Sequence, residues 1–159
     1  MATETAARTF FASPFFAVVG ASSNPAKFGH KGAFCPAVHA WYLHHGLNVT
    51  PVNPGSPAVT VAGQDHRTVP DLSSLPNPKE TSVSIITAPP VTLKVLEEAR
   101  KLGIPAVWLQ PGTFDDEVLE RALEQDAFKS VVYGLGGRGH EGWCVLVDGE
   151  KAMKDAERL

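Results

Sequence analysis

Four turns of small, polar and proline residues, each closing an apolar run, are the parts of this sequence best equipped to hold a ligand. They read Gly20-Ala21-Ser22-Ser23-Asn24-Pro25, Asn53-Pro54-Gly55, Thr87-Ala88-Pro89-Pro90 and Gln110-Pro111-Gly112-Thr113. In the first, Gly20 permits a tight reversal. The amides from Ala21 to Asn24 and the side chains of Ser22, Ser23 and Asn24 then offer donors to an anion, helped where a helix points its positive end at the same place. Lys27 adds a positive charge on that loop. The chemistry is phosphate binding. A dinucleotide fingerprint would place a second glycine two residues after the first, so that pyrophosphate can approach the backbone, and Ser22 stands there instead. It would also place an acid after the second strand for the ribose hydroxyls. The sequence there is Val49-Thr50-Pro51-Val52-Asn53-Pro54-Gly55, with no Asp or Glu before Asp65. Both departures weigh against a standard NAD site.

A second group of reactive side chains lies near the end. Gly134 to Gly142 contains five glycines in nine residues, with Arg138 and His140 able to meet a phosphate or an acyl carbonyl. Cys144 follows Trp143 and starts an apolar run, which reads as a buried strand thiol unless Arg138 and His140 make its surroundings electropositive. Cys144 is therefore the weak candidate for catalysis. His140, Glu141 and Cys144 match no metal-ligand spacing, so no metal is expected. His30, His39, His44, His45 and His66 form no catalytic order and read as surface or hydrogen-bonded core, and Trp41 and Trp108 read as core.

The elements that must position these turns alternate between strand and helix. Apolar runs at 15–20, 47–52, 82–87 and 106–109 have the character of strands covered on both faces, with a fifth at 130–133 and a sixth expected at 144–147. Between the third and fourth, Val91, Val95, Ala99 and Leu102 share one helical face, and Gly103 stands where a left-handed cap would end the helix. A further helix is expected over 114–125, with Thr113 as its cap and Asp115, Asp116 and Glu117 in its first turn. The first crossover helix spans roughly 32–45. The Pro- and Ser-rich stretch 53–78 reads as an elaborated connection holding a short strand at 59–63 and a helical turn at 71–75. The expected fold is an α/β Rossmann-like three-layer sandwich with a mostly parallel, doubly wound sheet of five to six strands. Residues 15–148 form the domain, flanked by an N-terminal extension (1–14) and a C-terminal tail (149–159).

Size and charge agree with this. A chain of 159 residues suits one core and buries roughly two-thirds of its unfolded surface. The net charge is −3, with Lys and Arg scattered singly, so neither nucleic acid nor an anionic membrane is an expected partner. No run reaches the ~18 apolar residues of a membrane span. Two cysteines are too few for a disulfide framework. A soluble, cytoplasmic protein with reduced thiols is expected.

Taken together, Val18-Val19-Gly20-Ala21-Ser22-Ser23-Asn24-Pro25, Pro51-Val52-Asn53-Pro54, Ser84-Ile85-Ile86-Thr87-Ala88-Pro89-Pro90, Glu98 to Gly103, Val107 to Gly112 and Cys144-Val145-Leu146-Val147 resemble the small stand-alone CoA-binding proteins. Their fold is related to the CoA-binding domain of the succinyl-CoA synthetase α subunit. The resemblance implies CoA lying across the first loop and the ends of the second and third strands. Carried over by position, that implicates Gly20, Ala21, Ser22, Lys27, Asn53, Pro54, Thr87, Ala88 and Pro89. Many relatives read Asn-Pro-Lys at the second turn, whereas Gly55 stands here, leaving Arg67 or Lys79 to supply that cation.

The first expectation is thus a CoA or acyl-CoA binding protein without a catalytic set. Its ligand-binding residues are Gly20 to Asn24, Lys27, Asn53, Pro54, Thr87, Ala88, Pro89, Gln110 and Gly112. The alternatives are a small NAD(P)-binding reductase or accessory subunit, and a thiol enzyme using Cys144. Small domains of this type often pair, so a homodimer stays open.

Overall fold

The computed structural model describes residues 4–20, 34–61, 63–134 and 145–156. The central strand β1, Phe15–Val19, pairs in parallel with β2, Val49–Val52, on one side and with β5, Thr81–Ile85, on the other. Beyond β5 come β6, Ala106–Leu109, and β7, Ser130–Tyr133. Among the described residues the sheet order is β2-β1-β5-β6-β7, all parallel. A small antiparallel hairpin, β3 (Ala58–Val61) with β4 (Gln64–Arg67), fills part of the elaborated connection. A single parallel bridge from Val52 to Val69 then adds a rudimentary outer neighbour to β2. With it the order becomes that of the doubly wound dinucleotide-binding sheet, its third strand reduced to one residue. Pro51 fits at this edge, because its carbonyl accepts from Val69 N at 3.1 Å and its missing N–H faces the same sparsely paired side.

Alternation along the strands builds two cores. Phe16 and Val18 face one layer, made by α1 (Glu4–Phe10), α2 (Phe34–His44) and α5 (Val145–Asp155). Ala17, Val19, Val83 and Ile85 face the other, made by α3 (Pro89–Leu102) and α4 (Asp116–Ala122). The result is the expected three-layer Rossmann-like sandwich.

Helices α1 and α5 are integral to the first layer. Phe10 and Phe11 are fully buried and pack edge-on to each other and to Trp108. Ser82 Oγ, on the core face of β5, donates to the Phe10 carbonyl at 2.7 Å, which fastens the end of α1 to the middle of the sheet. From α5, Ala152 and Met153 enter the same core.

Several expectations need correction. The sixth strand at 144–147 does not form: α5 begins at Val145, and Cys144 lies outside the described residues. A four-residue apolar run cannot be told from a helix segment by itself, and the buried residues that follow, Gly149, Ala152 and Met153, continue it at helical spacing. Asp115, not Thr113, caps α4, accepting from Val118 N at 2.9 Å, while Thr113 Oγ1 donates to the Gln110 carbonyl at 2.7 Å. Trp41 packs against the first core but is half-buried, stacked on His45. His39 is completely buried, with neither ring nitrogen hydrogen-bonded among the described residues.

Candidate functional site

The chain runs from β1 outward to β2 and its hairpin, then crosses back over β1 to β5, so the connections above β1 and β5 part company. In such sheets the gap beyond the carboxyl ends at this point is where ligands sit. Here it is a cavity of about 540 Å³, within the ~300–1,000 Å³ range of small-molecule sites.

Gly20 forms its base. At φ +93° it occupies the left-handed region that glycine tolerates, and a Cβ there would stand 3.0 Å from Thr87 Cγ2 and 3.1 Å from the Ile86 carbonyl oxygen. The tight fit brings three strand ends together. Gly20 N donates to the Val52 carbonyl and Ile86 N to the Val19 carbonyl, each at 3.0 Å.

The second wall begins at Asn53, 5% exposed, whose Oδ1 accepts from Gly55 N at 2.8 Å and whose N–H donates to the Val69 carbonyl at 2.9 Å. That second bond swings Pro70, Asp71 and Leu72 onto the cavity rim. Asp71 caps the 3-10 turn Leu72–Ser74, its Oδ1 accepting from Ser73 Oγ at 2.7 Å, Ser74 Oγ at 2.9 Å and Ser74 N at 3.1 Å. The hydroxyls of Ser73 and Ser74 hold its carboxyl below the usual carboxylate range. Glu98 Oε1 accepts from Leu72 N at 2.9 Å and ties this rim to α3.

Helix α3 is the third wall. Its N-cap is Ala88, its first two residues are Pro89 and Pro90, and the amides of Val91 and Thr92 both donate to the Ala88 carbonyl, at 3.0 and 2.9 Å. Thr92 Oγ1 lies 2.8 Å from Thr87 Oγ1 and donates towards the carbonyls of Thr87 and Ala88 at 3.1 Å, which fixes the turn. The sequence pattern put Val91 and Val95 on the core face with Ala99. Val95 does pack, half-buried, against the core beside the buried Thr92, Leu96 and Ala99, but Val91 is 49% exposed and joins Lys94, Val95 and Glu98 in lining the cavity. An apolar face wide enough for both roles carries no mark saying which half meets solvent.

Of the residues expected to bind, Gly20, Asn53, Pro54, Thr87 and Ala88 converge on this cavity. Pro89 opens α3 beside it without lining it. Gln110 and Gly112 stand apart: the Gln110 carbonyl takes Thr113 N at 3.1 Å in a closed turn after β6, and neither residue lines the cavity. Ala21, Ser22, Ser23, Asn24 and Lys27 lie outside the described residues, as do Arg138, His140 and Cys144. Arg67 and Lys79 do not line the cavity either. Among the described residues Lys94 does line it, and neither this lysine nor the acids Asp71 and Glu98 stand out in the sequence. Spacing of 91, 94, 95 and 98 on one helix was the available signal for two of them, and Asp71 followed by two serines was a capping signal for the third. Among the described residues no group of three or more His, Cys, Asp or Glu is gathered to hold a metal, and no helix is long and apolar enough to cross a membrane.

These features define a Rossmann-like α/β domain with a crevice at its switch point. Residues 15–133 match the CoA binding domain family, and the chain belongs to that family. A hypothetical protein from Pyrococcus horikoshii is 25% identical, with a TM-score of 0.68 over 98% of this chain and 92% of that one. A conserved hypothetical protein from Pyrococcus furiosus is 30% identical, with a TM-score of 0.58 over 78% of this chain and 93% of that one. A Thermus thermophilus protein, 22% identical with a TM-score of 0.67 over 94% and 98%, shares the fold. No curated protein is similar enough to the chain to count as a match.

Proposed function

We propose that the chain is a binding protein for CoA or acyl-CoA, with the adenosine end of the ligand in the cavity. The pyrophosphate then runs toward the loop after Gly20, which carries the donors Ser22, Ser23 and Asn24 and the cation Lys27. The observation that carries this reading is the 540 Å³ cavity itself, walled by Val91, Val95, Pro54 and Leu72 and placed at the switch point of a CoA binding domain. Apolar walls suit a purine, and the open rim suits a ligand that continues past the site. The reading assigns no side chain a covalent role.

One observation favours NAD(P) as a second reading. The Val52–Val69 bridge carries Asp71 to the rim, which supplies from a later segment an acid that the end of β2 lacks. Isothermal calorimetry with CoA, dephospho-CoA, NAD and NADP separates the two. Binding of CoA or dephospho-CoA with silence from the nicotinamide cofactors is expected, and the reverse overturns the CoA reading.

A further inference from the structure

We propose that Lys94 is the residue that recognises a phosphate on the adenosine end of the ligand, in place of the cation that Gly55 does not provide. This rests on the CoA reading and specifies what within the site selects a phosphorylated ribose.

The argument is an accounting of donors around the cavity. An anion in a crevice of this kind is usually held by backbone amides at a helix start. Here α3 begins with two prolines, which have no N–H, and the next two amides are both directed at the Ala88 carbonyl. The amides of Gly20, Asn53, Gly55 and Leu72 are likewise engaged, by the Val52 carbonyl, the Val69 carbonyl, Asn53 Oδ1 and Glu98 Oε1. Among the described residues that line the cavity, the amides of Asp71, Thr87 and Ala88 are the backbone donors left over, and all three are uncharged.

The charged side chains divide in the same way. Asp71 Oδ1 accepts from Ser73 and Ser74, and Glu98 Oε1 from Leu72 N, so one oxygen of each carboxylate is held by the rim that frames the cavity. Lys94 lines the same cavity and forms no ion pair among the described residues, although Glu98 stands one helical turn away. It is exposed, on a flexible stem, with three donors on its ammonium. A dianionic phosphate is the partner that such a group discriminates best, and CoA differs from dephospho-CoA by one phosphate on the ribose.

The test is calorimetry at low ionic strength with CoA and dephospho-CoA on the wild-type chain, Lys94→Ala, Lys94→Arg and, as a control, Lys79→Ala. One charge-assisted contact at an exposed site predicts that the wild type prefers CoA by roughly two- to fivefold. Lys94→Ala should weaken CoA more than dephospho-CoA, so that the ratio of the two affinities falls toward one. Lys94→Arg should keep most of the preference, Lys79→Ala all of it, and added salt should erode it. An unchanged ratio in Lys94→Ala, or a wild type that binds both ligands equally, overturns the role of Lys94 and leaves the CoA reading standing. A wild type that binds neither overturns both.

Discussion

Between pH 6.5 and pH 4 this protein should lose stability through one side chain, His39. It lies on α2 with 0% exposure, neither ring nitrogen has a hydrogen-bond partner among the described residues, and its ring stands edge-on to His66 at 5.3 Å. Burial, and then the charge of His66, pull its imidazole from 6.5 down to about 4. In the unfolded chain the imidazole takes a proton below pH 6.5, whereas in the folded protein it stays neutral until about pH 4. The unfolded state therefore binds more protons in that window, and folding weakens as pH falls through it. At ~1.36 kcal/mol per pH unit the full effect is roughly 3 kcal/mol, of which about 2 kcal/mol is reached by pH 5. His39→Leu keeps the volume, removes two orphaned nitrogens and should leave the protein at least as stable at pH 7.5. Urea unfolding followed by tryptophan fluorescence at pH 7.5, 6 and 5 is the assay. With an m-value of about 2 kcal/mol/M, the wild-type midpoint should fall by about 1 M more than that of the variant between pH 7.5 and pH 5. Parallel losses in the two proteins would refute the reasoning, because the titration would then belong to other groups.

Three other perturbations probe the frame of the site. Gly20→Ala forces a Cβ to 3.0 Å from Thr87 Cγ2 at φ +93°, which should cost about 1–3 kcal/mol in urea unfolding, and a midpoint equal to wild type would show that the contact relaxes freely. Phe10→Ala empties a fully buried site between Phe11, Phe16 and Trp108; a loss of about 3–5 kcal/mol in the same assay is expected, and a loss below about 1 kcal/mol would mean that α1 is dispensable. Glu98→Ala leaves Leu72 N without its acceptor, so the melting temperature should drop by about 2–4 °C and nucleotide affinity should fall with the loosened rim. An unaltered affinity would separate that rim from the site.

The sequence by itself determined the strand–helix alternation, the parallel sheet and the placing of Gly20, Asn53-Pro54 and Thr87-Ala88 at strand ends. These follow from local physics: buried strands need continuous apolar runs, and tight turns need Gly, Pro and Asn whatever surrounds them. Gly103 shows the same directness, capping α3 in the left-handed conformation. Only the tertiary structure decided which apolar face of α3 meets the core and which meets the cavity, since Val91 and Leu96 look alike until the sheet occupies one side. It also made α5 a helix where a strand was expected, because the partner of Ala152 and Met153 is the α1 and α2 layer, distant in sequence. The placing of charged residues around the cavity came from tertiary structure for the same reason. Asp71 reaches the rim through a single bridge to β2, and Lys94 through the crossing of α3. Strand ends are written locally, but the company they keep is fixed by how the chain crosses over β1.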